Sequence, residues 1–138
     1  MGGPAVSGDA LAAAFESLIT GLTVYKGTLP SEPSFPYVYV VTNFPTVAER
    51  GYTRDAQSRL LRSRTTVGGL SASSVRIVAQ KLSDLLEGAR PAVNGWVLGR
   101  VESEPNEQPI QVDLDVTIPN IGHPLYQVFD WKLTGSKA

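Results

Sequence analysis

The chain has 138 residues, 42% of them hydrophobic, a formal net charge of −1, one His and no Cys. This length and composition suit one domain, spanning residues 1–138, that buries a core without staples. Without Cys there is no disulfide, thiolate metal site or thiol nucleophile. The first basic residue is Lys26 and the longest apolar run is Ala10 to Phe15, so neither a signal peptide nor a membrane span is expected. Met1-Gly2 does not open a myristoylation motif, because Val6 stands where Ser or Thr is needed.

Asp9 is placed to cap a helix running to Thr20, with Leu11, Phe15, Leu18 and Ile19 on one stripe and Gly21 as the stop. Leu22 to Tyr25 is a short strand candidate. Pro30, Pro33 and Pro36 then make an extended connector. Tyr37 to Thr42 reads as a strand from its β-branched and aromatic content. Asn43 to Gln57 lacks periodicity and contains Pro45 and Gly51, which predicts a long, mobile loop or arm.

Arg59 to Val67 alternates, with Leu61, Ser63, Thr65 and Val67 on one side and Leu60, Arg62, Arg64 and Thr66 on the other. Gly68-Gly69 is expected to break this strand, and Ser71 or Ser73 to cap a helix with Val75, Val78, Leu82, Leu85 and Leu86 on its buried stripe up to Gly88. Trp96 to Val101 is a strand. Glu102 to Gly122 is a second long, Pro-containing segment, partly extended at Val112 to Ile118. Leu125, Gln127, Phe129, Trp131 and Leu133 alternate with Tyr126, Val128, Asp130 and Lys132 as a closing strand. This order predicts an α+β domain: a single, mostly antiparallel sheet with two helices packed on one face, and long charged loops. The other face carries Arg62 and Arg64, and must meet water or a partner.

Charge is segregated along the chain. Arg50, Arg54, Arg59, Arg62 and Arg64 stand against Asp55 alone, a net +4 from residue 50 to 64, whereas Glu102, Glu104, Glu107, Asp113 and Asp115 occupy a stretch without Lys or Arg, a net −5. Complementary patches of this kind suit one copy docking on the next, the arginine strand of one against the acidic loop of another. These ten residues are the candidate subunit or partner interface. A solvated face, or nucleic-acid binding through the arginines, are the other readings of the basic segment.

Chemistry is sparse. His123 is the lone histidine, and no Ser sits in a Gly-x-Ser-x-Gly elbow, so no nucleophile and base can be paired. Gly68-Gly69 lacks the Gly-Lys-Ser/Thr ending of a phosphate loop, and Asp113-x-Asp115 lacks the rest of a calcium loop. No enzymatic activity, cofactor or metal is expected.

Pro36-Tyr37-Val38-Tyr39-Val40-Val41 after the Pro-rich connector, Arg64-Thr65-Thr66-Val67-Gly68-Gly69 leading into the helix from Ser73 to Leu86, Arg90-Pro91, Gly95-Trp96, and Tyr126 to Thr134 (YQVFDWKLT) together resemble the tail terminator proteins of long-tailed bacteriophages, especially those of actinobacterial hosts. The resemblance covers roughly residues 9 to 134 and lies in element order and hydrophobic spacing. It implies a sheet with helices on one side and a ring, typically of six subunits, that caps the tail tube, ends its polymerisation and meets the head connector. The partners it implies are a second copy, the tail tube protein and a head-completion or connector protein, with DNA only passing through the lumen and no membrane. The location it implies is the head-proximal end of the virion tail, after assembly in the host cytoplasm. No active site is carried over. In such a ring the acids from Glu102 to Asp115 could instead line the lumen and repel DNA. A neck or head-completion protein of the same connector is the alternative.

Overall fold

The computed structural model describes residues 8–43, 45–50, 56–105 and 108–137. In chain order the elements are α1 (Gly8–Glu16), β1 (Val24–Lys26), β2 (Tyr37–Thr42), β3 (Thr46–Arg50), β4 (Ala56–Gly69), α2 (Ala72–Leu86), β5 (Trp96–Leu98), β6 (Glu102–Ser103), β7 (Gln111–Val112) and β8 (Leu125–Lys137).

The architecture hangs on two long antiparallel strands, β4 and β8, paired from Ser58↔Ser136 to Gly69↔Leu125. On one side of this ribbon, β2 pairs with residues 63–68 of β4 and β3 with the β4 start. On the other side, β5, β6 and β7 pair in succession along β8. Those pairings are antiparallel; β1 alone runs parallel to its neighbour, β2. The sheet is therefore mixed. The ten-residue connector carrying Pro30, Pro33 and Pro36 returns the chain to the same end through bends at Gly27, Ser31-Glu32 and Phe35-Pro36, with Ser34 N donating to the Tyr25 hydroxyl at 3.0 Å.

Alternation decides which face is covered. The rows Val38↔Val67, Val40↔Thr65↔Phe129, Ser63↔Trp131 and Leu61↔Leu133 point one way. These residues join Leu11 and Phe15 of α1 and Val75, Val78, Leu82 and Leu86 of α2 in one buried cluster, with Phe129 packed against it and Ser63 and Thr65 buried beside it. Both helices thus cover the same face, as the sequence pattern predicts. Trp131 is the core's largest side chain; its Nε1–H donates to Thr65 Oγ1 at 3.0 Å, and Thr65 donates in turn to the Phe129 carbonyl at 3.2 Å. A buried polar pair inside an apolar layer is tolerable only when satisfied in this way. Leu85, expected on the buried stripe of α2, is half-buried and faces a cleft with Gly21 and Leu22.

Several local expectations are corrected. The first helix starts at Gly8, so Asp9 lies in its first turn, where its charge opposes the helix dipole favourably, rather than at the cap. It stops at Glu16, with Leu18 and Ile19 in tighter bonds to Phe15 and Glu16 and Gly21 at φ +72. Of the two cap candidates Ser71 is the one that caps α2, as expected, accepting from Ser74 N at 3.1 Å. The predicted loop from Asn43 to Gln57 contains β3; register shifts between Val47, Glu49 and Arg50 break the period-two signal. Gly68-Gly69 does not break β4 either. A Cβ at Gly68 would run into the Tyr37 ring, and one at Gly69 would crowd Val75, so here glycine makes room for an aromatic across the strand and for a helix behind it. The strand expected from Trp96 to Val101 ends at Leu98.

Candidate interaction surface

The uncovered face of the sheet has a charged middle. The row Arg62↔Lys132↔Glu102 crosses β4, β8 and β6, and Arg64↔Asp130 lies next to it. Arg62 and Lys132 directly opposite one another would repel. Each has an acid instead: Arg62 Nε stands 3.1 Å from Glu104 Oε1, and Lys132 Nζ stands 3.6 Å from Glu102 Oε2. Arg64 forks onto Asp130, with Nε–Oδ1 at 2.8 Å and Nη2–Oδ2 at 3.2 Å. That hydrogen bonding, and the carboxylate charge behind it, raise the Arg64 guanidinium above its ordinary value. A cleft of about 480 Å³ opens over this ladder, lined by Val41, Asn43, Arg62, Arg64, Glu104 and Asp130 among others.

Part of the expected Arg-to-acid pairing is made within the chain. β6 pairs along the β8 edge and so brings Glu104 to Arg62 and Glu102 to Lys132, while Arg64 takes Asp130 from β8 itself. A neighbouring subunit would share these arginines with the acids already in place, since both side chains stay half-exposed.

The other sequence candidates are scattered by the fold. Arg59 shares the parity of Leu61, opposite to Arg62 and Arg64, and donates Nη1 to the Pro45 carbonyl at 3.2 Å. Arg50 has its backbone in β3, paired with Ala56; its side chain, and all of Arg54 and Glu107, lie outside the described residues. Asp113 and Asp115 sit far from Glu102. Gln111-Val112 pair with Tyr126 and Leu125, whereas Glu102 pairs with Lys132, a separation of roughly 20 Å at about 3.3 Å per strand residue.

At that far end the surface turns aromatic and apolar. Tyr37 lies over Gly68, with Tyr25 edge-on at 5.9 Å and Phe35 at 5.2 Å. Burial, then the charge of Asp113 and the neighbouring Tyr25, raise the Tyr37 phenol above its usual value. Beyond it the chain from 112 to 122 folds back on itself: Asp113 N donates to the Pro124 carbonyl, Ile118 N to Gly122, and Asp115 N to Asp113 Oδ1, with Asn120 in the left-handed region at φ +66. Val112, Leu114, Val116 and Ile121 are left exposed, Leu114 at 72%. Leu70, Phe35, Val116, Ile118, Pro119 and Glu32 line a groove of about 520 Å³. Sequence reasoning missed this site. Its signal was the period-two run Val112, Leu114, Val116, Ile118 among polar residues, which suggests a strand but serves a turn with its apolar side chains outward.

His123 is exposed, its Nδ1 2.7 Å from the Val116 carbonyl. Among the described residues no three of His, Cys, Asp or Glu come together to hold a metal ion, and no helix is long and apolar enough to cross a membrane.

No protein-family profile and no curated protein matches the chain. Solved structures do. One, of a protein without a stated function, aligns over 92% of this chain and 95% of its own at a TM-score of 0.55 and 19% identity, which shows a shared fold. Another, a chain from the virion of a native gene transfer agent particle, aligns over 95% of this chain and 98% of its own at a TM-score of 0.47 and 16% identity. That score is too low to add to the fold assignment.

Proposed function

We propose that the protein is a structural protein of a phage virion, a tail terminator that forms a ring on the finished tail tube, stops its polymerisation and joins tail to head. The observation that carries this is the resemblance of residues 9 to 134 to tail terminators, quoted above from Pro36 to Thr134, on a fold of the kind that family implies. A sheet with helices on one face only, and a wet, partly apolar remainder, suits a protein that works through its surfaces. The ring is of six copies, its partners are the tube protein and the head-side connector, and the chain turns over no substrate.

The test is complementation of a phage lacking the gene, read by electron microscopy. Without the protein, tails should lengthen without a uniform end point and fail to join heads; with it, uniform tails should return, and a labelled copy should appear at the head-proximal tail end. Tails of normal length in the mutant, with heads leaking DNA and the label on the portal, would favour the head-completion alternative and overturn this assignment.

A further inference from the structure

Once the mid-face charges are paired within the chain, the remaining asymmetry runs along the β4/β8 ribbon. At one end, beside the row Gly69↔Leu125, the groove and the 112–122 turn combine exposed Leu114 and Ile121 with Glu32 and Asp115. At the other, beside the row Arg59↔Gly135↔Leu98, the edge strand β5 exposes Val97 at 64%, flanked by the exposed Arg90 and Arg100. Backbone bonds between Val101 and Ala89 and between Gly88 and Val101 hold the segments bearing the two arginines side by side, and Arg100 donates to the Gly88 carbonyl at 2.8 Å.

Ten strand residues separate the two rows, roughly 33 Å. Neither end can therefore reach the other in its own chain. An apolar patch with an acidic rim at one end and an apolar edge with a basic rim at the other are complementary between copies, and such a contact is heterologous: it repeats head to tail and closes into a ring when the rotation allows. An anionic membrane or DNA would be repelled by the acidic rim and could meet only the basic end, whereas a second copy satisfies both ends at once.

We propose that the acidic, apolar turn end of one copy seats on the basic β5 end of the next, the two ends being the subunit contact of the assembly. This rests on the ring assignment above and names its interface. Two charge-reversed chains test it by sedimentation velocity: Glu32→Lys with Asp115→Lys, and Arg90→Glu with Arg100→Glu. Each alone places like charge at both ends and should sediment as a monomer. Mixed in equal amounts they restore opposite charge at every contact, and the wild-type oligomer should reform with the two chains alternating. Melting followed by circular dichroism confirms that each chain folds; if the arginine pair melts early because the Arg100 bond to Gly88 is lost, Arg90→Glu alone takes its place, and Leu114→Lys is the second acid-end variant. Variants that keep the wild-type oligomer, or folded monomers that stay apart on mixing, overturn the end-to-end contact and leave the ring standing. A wild-type chain that stays monomeric overturns the ring itself.

Discussion

Trp131→Ala probes the layer on which the whole surface is built. Trp131 is 3% exposed and belongs to the buried cluster that also holds Leu82 and Val78 of α2. Truncating a buried aromatic to Ala costs about 3–5 kcal/mol, mostly transfer and cavity terms. Thr65 is not orphaned by the change, since its hydroxyl still donates to the Phe129 carbonyl, so no further penalty for an unsatisfied group is added. Unfolding entropy near 2.1 cal/mol/K per residue over 138 residues converts each kcal/mol into about 3–4 °C. The melting temperature should fall by about 10–17 °C. Trp131→Phe keeps most of the ring but loses the Nε1–H bond, worth about 1 kcal/mol net, and should fall by about 3–4 °C. Calorimetry of the three proteins measures both steps. A melting temperature for Trp131→Ala within about 2 °C of wild type, less than 1 kcal/mol, would refute the packing of β8 against α2.

Gly68→Ala should cost about 1–3 kcal/mol, as overpacking does, and the loss should largely vanish in a Tyr37→Ala background; equal losses in both, by urea titration, would show that the ring does not lie over the glycine. Tyr37 has a folded pKa raised above 10.0, so the unfolded chain ionises first: its contribution is present below about pH 10 and is lost as pH rises from there through the folded value. Tyr37→Phe should therefore flatten part of the alkaline fall in stability, and an unchanged slope would place the phenol in water. Arg62→Ala with Arg64→Ala should cost about 1–3 kcal/mol, because the arginines are half-exposed but Glu104 Oε1, which faces Arg62, is buried and loses its cation, and should leave sedimentation unchanged; loss of the oligomer would return these arginines to the subunit boundary.

The fold was legible wherever period and composition agreed. Tyr37 to Thr42, the α2 stripe and the closing strand each bury one face, and burial is what hydropathy patterning reports. Val47 to Arg50 was illegible because its register shifts put neighbouring residues out of phase with the partner strand. The candidate surface was half-legible. Runs of Arg and acid are visible in sequence, but their neighbours in space depend on β6 and β7 docking at different heights along β8, and strands of two residues leave no pattern. The apolar turn was hidden for a related reason: Leu114 and Val116 alternate as a strand would, yet hydrogen bonds from Asp113 and Ile118 close the segment on itself.

What the mid-face charges accomplish follows from counting registers. In the observed one, Arg64 faces Asp130 and Arg62 faces Lys132 beside Glu102. Sliding β4 by one residue turns Leu61 and Val67 to water, so only slips of two preserve the core face. One such slip sets Arg64 against Lys132, a like-charge contact; the other sets Arg64 against Val128 but brings Arg62 opposite Asp130. Each pair adds little to stability. The difference between an attractive and a repulsive row is larger than either pair alone, so these residues oppose the slip that sets Arg64 against Lys132, while the observed register gains the Arg62 and Lys132 contacts with Glu104 and Glu102 across β6. A charge already paired within the chain is a weak guide to a partner outside it, and the asymmetry that can still recruit a second copy is the one left at the two ends of the ribbon.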